Sequence, residues 1–152
     1  MTIPSPDRPP IVLVSRAFVH NPSTNQYLII QRAKTDTNQP GKWEVPGGKL
    51  EKNQDLTRAM QTEVWEETGL VVFPRTALAT YQDGLITEGR YNGYFYLVCF
   101  GLTTLAHGTV KLSAEHDDFR WVSYREMLTY DLTPETEKAA VVLAHLLQEP
   151  DQ

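Results

Sequence analysis

The chain has 152 residues, 41% of them hydrophobic, and its 14 basic and 19 acidic side chains give a net charge of -5. That length and apolar share suit one domain with a real core and are too short for two comfortable ones. The acidic balance and the lack of any Lys/Arg run argue against a nucleic-acid groove. The single cysteine, Cys99, lies within the apolar run 95–100 and reads as a buried small hydrophobe, with no disulfide to form. No apolar run approaches the roughly 18 residues of a membrane span, and the first ten residues hold prolines in place of a signal segment, so the expected setting is cytoplasmic.

In chain order, residues 1–10 read as a proline-rich tail ahead of a single domain over 11–150. Residues 11–19 and 27–31 are strand-like and are joined by the turn-rich His20-Asn21-Pro22-Ser23-Thr24-Asn25. A polar loop over 33–42 ends in Pro40-Gly41. Asn53 as N-cap and Gly69 as C-terminal stop set a helix over 54–68. Strands follow at 77–82, 91–103 and 118–122. Ser123 caps a short helix through Met127. A closing helix has Thr133 as N-cap, Pro134 as first residue, and Ala139, Leu143, Leu146 and Leu147 on its inner face. Strands before and after a central helix, with a closing helix, give a layered α/β architecture.

The chemistry concentrates in the segment from Pro46 to Leu70, PGGKLEKNQDLTRAMQTEVWEETGL. At helical spacing Glu63, Glu66 and Glu67 share one face and continue the stripe of Leu56, Ala59 and Met60, so a face that begins as core ends as an acid patch. A merely solvated helix would set its acids opposite its apolar residues. Carboxylates this close raise one another's pKa unless a cation holds them ionised, and hard oxygen ligands suit Mg2+ or Mn2+ better than zinc. Magnesium keeps waters and substrate phosphate in its shell, which points to diphosphate or triphosphate chemistry. Gly47 and Gly48 let backbone approach a metal or phosphate closely.

These residues resemble the signature of the Nudix hydrolases, G-x5-E-x7-R-E-U-x-E-E-x-G-U with U aliphatic. The pattern runs here from Gly48 to Leu70, with Glu63, Val64, Glu66, Glu67, Gly69 and Leu70 matching, and the leading Pro40-Gly41-Lys42-Trp43-Glu44-Val45 is similar to that of MutT-like members. Two positions depart: Gln54 stands for the first Glu, and Thr62 for the Arg that orients the following glutamate in the family. A threonine offers one neutral hydrogen bond where a guanidinium gives a charged fork.

The resemblance implies an α/β/α sandwich around a mixed sheet. It also implies a Mg2+ or Mn2+ site on Gly47, Glu63, Glu66 and Glu67, and hydrolysis of a diphosphate linkage in a nucleoside di- or triphosphate or a related X-linked diphosphate. Glu63 is the first choice of general base. Glu115, in the loop Glu115-His116-Asp117-Asp118, is the second, His116 is a weaker candidate there, and a solvated acidic turn is the alternative. MutT-like relatives carry an arginine at the position of Arg32 that meets substrate phosphates; a surface arginine ending a strand is the plainer reading. Trp43, Tyr81, Tyr91, Tyr94 and Tyr96 could stack a base, although alternating aromatics on a strand are more often core. The proline of ADP-ribose members is replaced by Ile86, and the marks of the diadenosine polyphosphate and NADH groups are missing, which leaves the MutT-like nucleoside triphosphate class. The expected partner is a small nucleotide or other diphosphate substrate, with no nucleic-acid polymer and no membrane, and homodimer formation stays open. With Gln54 and Thr62 substituted, a nucleotide-binding or regulatory module that kept the fold and lost turnover is the alternative.

Overall fold

The computed structural model describes residues 7–148, and for residues 77–83 only the backbone. Its elements run β1 (Ile11–Asn21), β2 (Gln26–Arg32), β3 (Trp43–Glu44), β4 (Gly47–Lys49), α1 (Leu56–Thr68), β5 (Val71–Leu85), β6 (Phe95–His107), β7 (His116–Val122), α2 (Tyr124–Met127) and α3 (Pro134–Leu147). The expected proline-rich tail falls mostly outside the described residues, but the Pro10 carbonyl accepts from Phe95 N at 2.9 Å.

The seven strands form one mixed sheet in the order β3-β2-β1-β6-β5, with β4 added to β1 and β7 to β2. β1 runs parallel to β6 from Ile11 opposite Phe95 to His20 opposite Thr104. Its other edge is shared, with β4 pairing antiparallel at Val14–Arg16 and β2 at His20–Asn21. Apolar side chains cover both faces of β1, as a central strand between helix layers requires. One face carries Val12, Val14, Phe18, Val98, Phe100 and Leu102 against α2 and α3; the other carries Ala17, Val19, Leu28 and Ile30 against Met60 and Val64 of α1. The result is the layered α/β/α sandwich expected from the sequence. No helix among the described residues is long and apolar enough to cross a membrane.

Several local expectations need correction. Asp55, not Asn53, caps α1: its backbone is extended and its carboxylate accepts from Arg58 N at 2.7 Å. Asn53 has a φ of 69°, the left-handed region that an asparagine tolerates in a turn but that an N-cap does not adopt. Gly69 ends the helix as expected, with φ 72° and its N–H on the Trp65 carbonyl. The strand expected from Tyr91 begins at Phe95. Residues 86–94 form the turn of the β5–β6 hairpin, closed by Ile86 N to Tyr94 O and Gly93 N to Ile86 O. On α3 the inner face is Thr136, Ala139, Ala140, Leu143 and Ala144, an alternating spacing of three and one that leaves Leu146 64% exposed. Cys99 is only partly buried.

The cap assignment is testable by urea unfolding. Asp55→Ala lowers stability by about 1 kcal/mol, whereas Asn53→Gly, at a left-handed position, leaves it unchanged or slightly raised. The reverse ranking would return the cap to Asn53.

Candidate active site

The short strand β4 brings the glycines against two of the candidate site carboxylates, Glu63 and Glu67. A side chain at Gly47 would collide with the Ser15 carbonyl and with Arg16, because β4 lies directly on β1 there. At Gly48 an added Cβ would stand 2.5 Å from the Glu63 carboxylate. The glycine pair is therefore required so that the backbone can lie between β1 and the acid face of α1. The Gly47 N–H donates to Glu67 Oε2 at 3.2 Å, tying the last buried carboxylate of the helix to the same strand.

Gly47, Gly48, Glu63, Glu67 and Glu115 line one cavity of about 570 Å3, together with Arg16, Lys49, Tyr91 and Tyr96. Of the residues singled out from the sequence, Gly47, Glu63, Glu67 and Glu115 come together here. Glu66 does not line the cavity. It is exposed on the flank of α1, yet close enough to Glu63 to add to the negative potential there. Thr62, where the family's arginine would stand, lines a separate groove with Arg58, Gln61 and Trp65. Gln54 keeps an acceptor at the other departing position, where its Oε1 takes the Glu51 N–H at 3.1 Å.

Arg16 lines this cavity but is paired with another acid. Glu44 on β3 is 2% exposed and is clasped from three strands. Arg16 Nη1 of β1 stands 3.3 Å from Oε1, Arg32 Nη1 of β2 reaches both oxygens at 3.2 Å, and His116 Nε2 of β7 lies 2.9 Å from Oε2. His116 faces inward because the β2–β7 ladder shifts register between Gln31 and Arg32. Asp117 is the extra residue, and it accepts the Lys34 N–H at 3.0 Å. Burial by itself would raise the Glu44 pKa; Arg16, His116 and Arg32 outweigh it and hold the carboxyl below its usual range.

Arg32, expected to meet substrate phosphates, is spent within the protein. Its Nε donates to the Asn38 carbonyl at 2.8 Å and its Nη2 to Asp36 at 2.7 Å, in addition to the Glu44 contacts. Those bonds fold the 33–42 loop onto β2. Arg16 and Glu44 were missed as site residues. Their signal in the sequence is a charged residue inside an otherwise apolar strand, Arg16 in VLVSRAFV and Glu44 in WEV; a buried charge of that kind needs a partner.

Glu67 is the opposite case. Burial pushes its carboxyl up to about 8, with only partial relief from Arg16 and the Gly47 N–H and further opposition from Glu44 and Glu63. Glu63 is raised as well, by burial first and then by Glu66, Glu115 and Glu51. The cavity thus holds carboxylates short of positive charge, and its donors are hard oxygens. That is the environment a divalent cation of the magnesium type fits.

The Glu67 shift fixes a sign. The folded protein holds this proton more tightly than the unfolded chain, whose carboxyl titrates near 4.5. Its stabilising effect is full below that pH and is lost as pH rises toward 8, on the order of a few kcal/mol in total. In EDTA, wild-type Tm should therefore fall between pH 5 and pH 8.5, and Glu67→Gln should flatten that fall, melting roughly 5 °C higher than wild type at pH 8.5. Parallel pH profiles of the two proteins would remove the assignment.

A sequence model of the NUDIX domain matches residues 11–146. Nucleoside triphosphatase NudI of Escherichia coli K12 is 26% identical over 117 residues, 74% of this chain and 83% of that one. MutT protein from Methanosarcina mazei Go1 shares the fold with a TM-score of 0.71 at 24% identity, covering 93% of this chain and 98% of that one. The NUDIX domain of Shewanella oneidensis NrtR, solved with ADP ribose, does so with a TM-score of 0.69 at 16% identity, covering 90% and 88%. The family match takes in the acidic helix, the glycine strand and the whole sheet that carries them, and the chain belongs to the NUDIX family.

Proposed function

We propose that this chain is a Mg2+- or Mn2+-dependent hydrolase cleaving a diphosphate linkage in a nucleoside di- or triphosphate or a related nucleoside-diphosphate-X compound. The observation that carries the reading is Glu63 and Glu67 set against Gly47 and Gly48 with raised pKa values, while the nearby guanidinium groups are committed to Glu44. Glu63, Glu67 and the Gly47 carbonyl would hold the metal, with Glu66 adding negative potential from the flank of α1. A divalent cation bound there supplies charge neutralisation on phosphate and an acidified water.

The chain's own groups do the rest. Glu63 accepts the proton as the water oxygen bonds to phosphorus and the anhydride P–O bond breaks, with the displaced phosphate leaving on the bridging oxygen. Burial and the neighbouring acids Glu66, Glu115 and Glu51 raise the Glu63 pKa, which is the direction a general base requires. Glu115, across the cavity, is the second candidate for it. Lys49 lies between the acidic cavity and a neighbouring one of similar size, lined in part by Gln39, Ile86, Arg90, Tyr91 and Tyr96. Lys49 Nζ sits 4.8 Å from the Tyr91 ring centroid and Arg90 on the same ring at 5.5 Å, so that hairpin offers both cationic and aromatic contact to a nucleotide. The likeness to NudI, named a nucleoside triphosphatase, supports trying nucleoside triphosphates first.

A panel of nucleoside di- and triphosphates and nucleoside-diphosphate sugars, incubated separately with Mg2+ and Mn2+, should release phosphate or pyrophosphate from at least one member and lose that activity in EDTA. Glu67→Gln should lower turnover by about a hundredfold or more while keeping the fold. Nucleotide binding without release across the whole panel would leave the inactive binding module, for which the Gln54 and Thr62 replacements speak. At saturating Mg2+, Glu115→Gln should lower kcat strongly and leave nucleotide affinity nearly intact, since its effect appears as charge develops. Loss of affinity with kcat preserved would make Glu115 part of the substrate pocket instead.

A further inference from the structure

His116 is not accounted for by the acid helix. Its side chain is 3% exposed, Nε2 is 2.9 Å from Glu44 Oε2, and Nδ1 is buried with no hydrogen-bond partner. A carboxylate only accepts, so the ring nitrogen facing Glu44 carries the hydrogen, and in the neutral ring Nδ1 then presents a lone pair. A buried lone pair without a donor is costly unless something fills it. One oxygen each of Glu67 and Glu115 and one ring nitrogen of His116 lie within 4.8 Å of one another. With Nε2 engaged by Glu44, the nitrogen left for that group is Nδ1.

This is the arrangement of a histidine metal ligand. Such a histidine donates its second ring N–H to a carboxylate, which fixes the tautomer and the ring plane and raises the basicity of the nitrogen that binds. Glu44 is well placed for that role because Arg16 and Arg32 hold its carboxylate rigidly. The register shift at Asp117 is what turns His116 toward this group.

Resting on the reading of the site as a divalent-metal hydrolase, we propose that His116 Nδ1 is a ligand. With Glu67 and Glu115 it forms a mixed nitrogen-oxygen site that takes Mn2+ or Co2+ in preference to Mg2+. Imidazole adds little for hard Mg2+, whereas affinity at a nitrogen-containing site rises along the divalent series from Mn2+ to Co2+.

The test uses the full chain and the metals alone, without nucleotide. Titration calorimetry should give wild-type Kd values at least about tenfold lower for Co2+ than for Mg2+, with Mn2+ between them. His116→Gln keeps an amide donor near the Nε2 position for Glu44 and removes Nδ1. It should erase most of the Co2+ preference and change Mg2+ affinity by less than about threefold. A pulsed EPR spectrum of the Mn2+-loaded wild type should carry an imidazole nitrogen coupling, which requires no variant to fold. Mn2+ bound with oxygen ligands only, or an equal loss of Mg2+ and Co2+ affinity in His116→Gln, would overturn the proposal and leave the hydrolase reading standing. No binding of any of the three metals would overturn both.

Discussion

The fold and its pocket depend on one buried carboxylate. Glu44 lies where β1, β2, β3 and β7 meet, and receives a guanidinium from β1, a second from β2 and an imidazole from β7. Each of those three groups is itself nearly or largely buried, so the cluster is stable only as a whole. Removing the acid would strand two desolvated positive charges, and breaking a buried pair in that way costs several kcal/mol. The 33–42 loop is tied to the same point through Arg32, and the glycine strand through Arg16, against whose backbone Gly47 lies.

This concentration of positive charge explains the chemistry next to it. Two glutamates of similar burial, Glu44 and Glu67, titrate in opposite directions: one is held below the usual range, the other is driven up to about 8. Residue type and depth are the same, and the difference is the allocation of arginine. By pairing both nearby guanidiniums with Glu44, the protein leaves the acid face of α1 uncompensated and open to a ligand that brings its own positive charge. The uncompensated negative charge of the cavity is in this sense produced by what the neighbouring cluster withholds.

The sequence was most informative where structure is local. Helical spacing put Glu63 and Glu67 on the face that the fold turns toward β4, and Gly69 and Ser123 ended and began helices as their backbone preferences require. It was less informative where a choice depends on distant partners. Asn53 and Asp55 are both good caps by residue type, and only the turn into which Asn53 is drawn decides between them. Leu146 and Leu147 both fit a helical stripe, and the position of the sheet selects the face that excludes Leu146. Arg32 has the position of a phosphate contact but finds Glu44, Asp36 and the Asn38 carbonyl before any substrate arrives. Glu66 shares the helical spacing of its neighbours, yet the pocket wall ends short of it. Arg16 and Glu44 are 28 residues apart in the chain, and no periodicity links them.

The parallel ladder between β1 and β6 has a kinetic side. Ile11 meets Phe95 and His20 meets Thr104, so every rung joins residues 84 apart in sequence. Closing so long a loop must precede the reward of the contacts it makes, and topologies dominated by such pairings fold slowly. The acid helix is local and needs no such closure. During synthesis it emerges well before β6, at a stage when β1 lacks the neighbour that makes it a central strand. The spacing of the three glutamates is set within one helix, but the walls that give them depth, and with depth the raised pKa of Glu67, require the second half of the sheet.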